Sequence, residues 1–186
     1  MANYESDPTA ATLSFYALDP VVAIDEADIR DLGRLAVSAQ GPARFNLHSS
    51  RGDDLHCMAI LQPARVYSQP RLHRSKAKVF QMLRGEMIVV AFGDEGDVIS
   101  LYRMGLGQTL IVRIAPGIFH TNFALSDQAA YHEVITGPYE PETDDRVYAS
   151  FAPDGDDQEA GRDWITRVIE REQPELLLGW DVPGLE

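Results

Sequence analysis

One cysteine stands in a chain of 186 residues. With no second thiol there is no internal disulfide, which fits a reducing compartment. Cys57 lies in the apolar alternation around Met58 and Ile60 and reads as a small buried hydrophobe rather than a catalytic thiol. Positive charge is scarce too: 16 lysines and arginines face 29 aspartates and glutamates, for a formal charge of -13 at pH 7. Such a surface repels phosphate backbones and anionic headgroups, so neither nucleic acid nor an anionic membrane is an expected partner. Long hydrophobic runs are missing. The longest, residues 87–92, falls far short of the ~20 residues that span a bilayer. The opening Met1-Ala-Asn-Tyr-Glu-Ser-Asp-Pro8 has no basic start and no apolar stretch, so it does not read as a secretory signal. A soluble, cytoplasmic protein is expected.

What is present suffices for one globular domain, with 45% hydrophobic and 24% charged residues. Residues 1–20 are polar and turn-rich and read as an N-terminal arm. In a helical lead-in over 21–42, Asp25 is the predicted N-cap, with Asp28 as its capping-box partner. Ile29, Leu32, Leu35 and Ala36 follow at helical spacing, and Gly41-Pro42 ends the helix. From 43 to about 137, short β-rich runs recur between turn signals, at 43–48, 55–62, 77–84, 86–93, 97–103, 108–114, 118–125 and 129–136. That spacing predicts a mainly β domain over 43–157, an antiparallel double-sheet barrel. The lack of long periodic segments between the strands argues against a doubly wound α/β fold. Residues 158–186 read as a C-terminal helix and tail, with Trp164, Ile165, Val168 and Ile169 on one face and Pro174 as the stop.

Chemistry concentrates in two stretches. Pro70-Arg71-Leu72-His73 is followed by Lys78 and then Gly85, and Pro116-Gly117-Ile-Phe-His120 places a histidine three residues after a glycine. On an extended strand positions 71 and 73 share a face, as do 78, 80 and 82. Gly85 and Gly117 permit tight turns. This spacing resembles the two short motifs of cupins, small β-barrels whose histidines and glutamate converge on an internal metal. Two of the four residue types differ, because Arg71 stands at the first histidine position and Lys78 at the glutamate position. Arginine does not deprotonate, and lysine does so only with a large shift. Beside a dication both would be repelled in a low-dielectric site.

The resemblance extends further. Arg44-Phe-Asn-Leu-His48, Phe92-Gly-Asp-Glu-Gly96, Gly117-Ile-Phe-His-Thr121, Glu133-Val-Ile-Thr-Gly-Pro-Tyr139 and Phe151-Ala-Pro153 are together similar to the WbuC-type cupin-fold metalloproteins, over roughly residues 28–157. The resemblance implies a cupin jelly-roll with short flanking helices, and it supports a metal only at His73 and His120. That family carries Pro-His-x-His at 70–73, glutamate at 78 and lysines at the positions of Ile135 and Arg146.

Other histidines have weaker grounds. His48 ends a strand and joins the ligand-binding candidates. His132 and Glu133 are neighbours, so only one of them can face the barrel interior. His56 reads as a surface or edge residue. Ser49-Ser50 lacks a nucleophile elbow, and the acidic turns at 144–145 and 154–157 lack the calcium-loop pattern.

The expectation is a barrel that binds a small anionic molecule through Arg71, His73, Lys78, His120 and His48. Arginine's planar fork suits a carboxylate or phosphate, and Phe80, Met82 and Phe119 would form an apolar wall. His73 and His120 are the candidates for proton transfer, as in a sugar isomerase or epimerase, and whether the protein is an enzyme stays open. One alternative is a metal-dependent enzyme holding a divalent ion through His73 and His120, with His48 or His132 completing the set. Another is a non-catalytic interaction domain with a vestigial pocket. A homodimer is expected, since strand edges need cover, with the N-terminal arm crossing to its neighbour.

Overall fold

The alternating segments pair into two sheets in the computed structural model, which describes residues 3–64, 66–140 and 145–177. In chain order the strands are β1 (Tyr4–Ser6), β2 (Leu13–Ala17), β3 (Ala43–Asn46), β4 (Leu55–Pro63), β5 (Arg71–His73), β6 (Lys78–Arg84), β7 (Glu86–Phe92), β8 (Val98–Gly105), β9 (Ile111–Ile114), β10 (Phe119–Ala124), β11 (Gln128–Thr136) and β12 (Arg146–Tyr148). Helix α1 (Glu26–Ala39) precedes β3, and α2 (Gln158–Glu172) follows β12. One sheet has seven strands in the order β1-β2-β3-β4-β11-β6-β9, the other five in the order β12-β5-β10-β7-β8. Every ladder is antiparallel except β2 with β3. The fold is mainly β, a double-sheet jelly-roll flanked by two helices.

Three apolar layers hold it. Between the sheets pack Met58, Ile60, Phe80, Met87, Val89, Met104, Val112 and Tyr131. Outside the five-stranded sheet, Ile88, Val90, Phe92, Phe119 and Phe123 meet Ile165, Val168 and Ile169 of α2. Outside the seven-stranded sheet, Ile29, Leu32 and Ala36 of α1 cover Phe45, Ala59 and Leu61. The run at 87–92 is therefore a strand buried on both faces, which is why it is continuous rather than alternating. Asp25 caps α1 in a reciprocal capping box with Asp28, as predicted.

The arm differs from expectation. Within residues 3–17 two strands extend the seven-stranded sheet, and β2 pairs with β3 through Leu13↔Ala43 to Tyr16↔Asn46. Tyr4 stacks on Phe45 at 4.5 Å and Phe15 meets the same ring edge-on at 5.7 Å. The two motif glycines do turn the chain. Gly85 has φ +77°, and a Cβ there would collide with the Gln128 carbonyl oxygen; Gly117 also has φ +77° but open space around it. No helix among the described residues is long and apolar enough to cross a membrane. The tail at 178–186 lies outside the described residues.

Candidate functional site

Strand parity builds one wall of a cavity. Across the seven-stranded sheet the register sets Asn46 opposite Met58 and Met58 opposite Glu133, and in the next row His56 opposite Ile135 and Ile135 opposite Lys78. Facing them from the other sheet, Arg71 pairs with Tyr148 and His73 with Arg146. The turn before β2 closes the rim with Thr9 and Thr12. Together these residues line a cavity of about 500 Å³, to which Tyr16, Arg44, His48, Arg51, Lys76 and Tyr139 also contribute.

Its charge is opposite to that of the whole chain. Arg44, Arg51, Arg71, Lys76, Lys78 and Arg146 line it, against Glu133 as the one carboxylate among the described lining residues. Lys78 Nζ lies 3.2 Å from Glu133 Oε1, with both side chains at most 10% exposed. Arg51 donates to Asp7 at 2.7 Å and to Thr9 at 2.7 Å, which latches the rim turn. Arg44 donates through Nε to Ser14 Oγ, and Lys76 through Nζ to the Pro138 carbonyl. Among the described residues no carboxylate lies within ion-pair distance of Arg44, Arg71 or Lys76.

Burial is the main pull on the Lys78 ammonium and sets it below the ordinary lysine value, with Arg71 and Arg146 adding to the effect and Glu133 opposing it. Burial alone would raise Glu133, but Lys78, Arg71 and Arg44 hold its carboxyl below the usual value.

The structure brings four of the five candidate ligand-binding residues, Arg71, His73, Lys78 and His48, to the cavity lining. His120 is buried beneath, its ring edge-on to Phe80 at 6.1 Å. Its Nδ1 donates to the Ile118 carbonyl at 2.9 Å, while Nε2 is buried without a partner among the described residues. His73 Nδ1 meets Asp145 at 3.2 Å, and the same carboxylate accepts from the Ser75 amide. Asp145 is thus an anchor for the histidine; Asp144 lies outside the described residues.

Three sequence expectations need correction. His56 is not at the surface: it is 6% exposed, lines the cavity and stacks on His48 with ring centroids 4.2 Å apart. Its parity with Met58 and Ile60 carried the signal. Phe80, Met82 and Phe119 do not wall the cavity. Phe80 and Met82 belong to the inter-sheet core, and Phe119 packs outward toward α2 because its neighbour His120 points in. Met58, Ile135, Tyr16 and Tyr139 line the cavity instead. Cys57 is half-buried, with its thiol pushed up by burial. Of the adjacent pair, Glu133 faces the cavity and the half-buried His132 is absent from its lining.

The donors do not fit a divalent metal at the position the resembled family implies. Arg71 and Lys78 stand where two ligands would be and supply charge that a cation would oppose, and Glu133 is engaged by Lys78. Among the described residues no group of three or more His, Cys, Asp or Glu is placed to hold a metal.

Burial drives the His48 imidazole down to about 4 and His120 well below its ordinary value, and it also lowers His56 and His132. These rings stay neutral in the folded chain and protonate first in the unfolded one. Stability is therefore full above pH 6.5 and declines as pH falls toward 4, by about 1.4 kcal/mol per pH unit for each ring that only the unfolded chain protonates. Urea midpoints at pH 7.5 and pH 5 check this, and equal midpoints would count against neutral burial of the rings.

Residues 24–104 match a family described as a domain of unknown function (DUF6016). No curated protein matches the chain. Among solved structures, the capsular polysaccharide assembling protein CapF from Staphylococcus aureus is similar at 16% identity and TM-score 0.50, over 58% of this chain and 29% of that one. A CapF structure with the inhibitor 3-isopropenyl-tropolone gives the same identity and TM-score over 58% and 31%. KdgF from Halomonas sp. is similar at 14% identity and TM-score 0.44, over 55% and 84%. The chain thus spans about a third of the length of the CapF chains. The likeness to the CapF chains is one of fold.

Proposed function

We propose that this chain, with its cupin-type jelly-roll, is a WbuC-like protein that binds a small anion of sugar-acid or carboxylate type inside the barrel, without a full metal site. One observation carries the reading: six cationic side chains line the cavity of a chain whose net charge is -13. Surface electrostatics would disfavour such a concentration, and among the described residues Arg44, Arg71 and Lys76 have no carboxylate within ion-pair distance to offset it. An incoming carboxylate or phosphate supplies that charge, and Arg71 offers it a planar pair of donors. Tyr16, Tyr139 and Tyr148 offer flat faces and hydroxyls suited to a hydroxylated body. Two copies associating through sheet edges complete the proposal, with a mass in light scattering twice the 20.6 kDa of the chain.

Thermal shift measures the binding. A ligand that binds only the folded chain, present at 100 times its Kd, adds about 2.7 kcal/mol of stability. Phosphate, glucuronate and citrate are expected to raise the midpoint, and zinc, nickel and manganese to leave it in place. Arg71→Gln should remove most of the anion response. A midpoint raised by the metals and indifferent to every anion would overturn the proposal.

A further inference from the structure

The chain has 2 lysines among its 16 basic residues, Lys76 and Lys78, and both line the cavity. Their settings differ. Lys76 is half-buried and donates to the Pro138 carbonyl. Lys78 is 3% exposed, with Nζ 3.2 Å from Glu133 Oε1 and 5.5 Å from the centroid of the Phe80 ring. An amine with an apolar ring on one side, a proton-accepting carboxylate on another and an open cavity in front is arranged as a nucleophile. Neighbouring cations and desolvation are the two means by which proteins keep a lysine amine reactive. Both act here, since Arg71 and burial each favour the neutral form. A structural ion pair alone would account for Lys78 and Glu133, but not for their lining a cavity with Arg71, which has no carboxylate within ion-pair distance among the described residues.

We propose that Lys78 forms an imine with the carbonyl carbon of a small 2-oxo acid whose carboxylate rests on Arg71. This rests on the anion-binding reading of the cavity and adds a covalent step to it. Lys78 first passes a proton from Nζ to Glu133. The nitrogen lone pair then forms the C–N bond while the carbonyl π pair moves to oxygen, which takes the proton back from Glu133. The nitrogen returns one proton to Glu133, giving a neutral carbinolamine. The C–O bond breaks as the hydroxyl leaves with that proton as water, and the nitrogen lone pair closes the C=N bond. The products are a protonated imine, one water and the Glu133 carboxylate, so no oxidant or reductant is consumed. Arg71 holds the carboxylate beside the carbonyl and orients the carbon toward Nζ.

The test is reductive trapping on the full chain. Pyruvate with sodium cyanoborohydride is expected to add one carboxyethyl group per chain, localised by fragmentation to Lys78 and not to Lys76 or the N-terminal amine. Lys78→Met abolishes the adduct. Because that variant leaves Glu133 buried without its partner and could lose the fold, Arg71→Gln supplies a second reading. It lowers trapping of pyruvate while trapping of the uncharged glycolaldehyde at Lys78 persists. Labelling spread evenly over Lys76, Lys78 and the N-terminus, or no labelling, would overturn the imine. If pyruvate and phosphate still raise the thermal midpoint in that case, the imine alone fails; if they do not, the anion-binding reading fails with it.

Discussion

Glu133→Gln is expected to cost the fold about 3–5 kcal/mol, the usual penalty for removing one partner of a buried ion pair. The size follows from what remains. Lys78 is left in a wall where its side chain is 4% exposed, beside Arg71 and Arg146 and with no other carboxylate among the described lining residues, so it must either hold an unpaired charge or give up its proton, and both cost stability. The pair itself contributes little net stability, because taking both charges out of water costs nearly what their attraction returns. The double variant Glu133→Gln, Lys78→Met should therefore recover most of the loss. Phosphate should also stabilise Glu133→Gln more than the parent, since a bound anion stands in for the missing carboxylate. Urea unfolding of the parent and the variants measures all three effects. A loss below about 1 kcal/mol would place the pair among solvent-screened surface bridges and remove its role as the charged centre of the cavity.

Arg71→His combined with Lys78→Glu is expected to invert the ligand preference. The new imidazole and carboxylate would join His73 and His120, restoring the four donor types of the resembled motif, and the lining would lose three units of positive charge. The new carboxylate would also face Glu133. Two carboxylates without a cation repel, so the double variant should be less stable than the parent until zinc or manganese is added. The metal then raises the midpoint, while phosphate and citrate lose their effect. A double variant that still prefers phosphate would show that the anion response does not originate at positions 71 and 78.

Much of the barrel was legible because period-two alternation and turn residues mark strands with one buried face. The eight predicted strands correspond to β3, β4 and β6 to β11, and α1 and α2 lie where capping and helical spacing put them. The four other strands were less visible for physical reasons. β5 and β12 have three residues each, too few for periodicity, and their place is set by pairing with β10 and with each other. β1 is the edge strand of its sheet and β2 the next one in, both short and only partly buried, so their polar residues read as an arm although Tyr4 and Phe15 anchor them on Phe45.

The site divides the same way. Arg71, His73 and Lys78 came from motif spacing, which survives changes of residue type because the turns at Gly85 and Gly117 fix it. Arg51 and Lys76 could not be foreseen, since loops bring them to the cavity. His56 and Arg44 could have been: each shares strand parity with an inward-facing residue, His56 with Met58 and Arg44 with Asn46. His120 shows the limit of motif reasoning. It points inward as expected but lies under Lys78 and Phe80 rather than in the cavity lining.

Native mass spectrometry of the chain purified without a histidine tag decides between an anion and a metal in the barrel. Electrosprayed from a volatile buffer after brief incubation with phosphate, the parent should carry a phosphate adduct that Arg71→Gln loses, with metal well below one ion per chain. Near-stoichiometric zinc, nickel, manganese or iron in the parent, retained in Arg71→Gln and unaffected by phosphate, would mean that the cationic lining does not govern what this cavity holds.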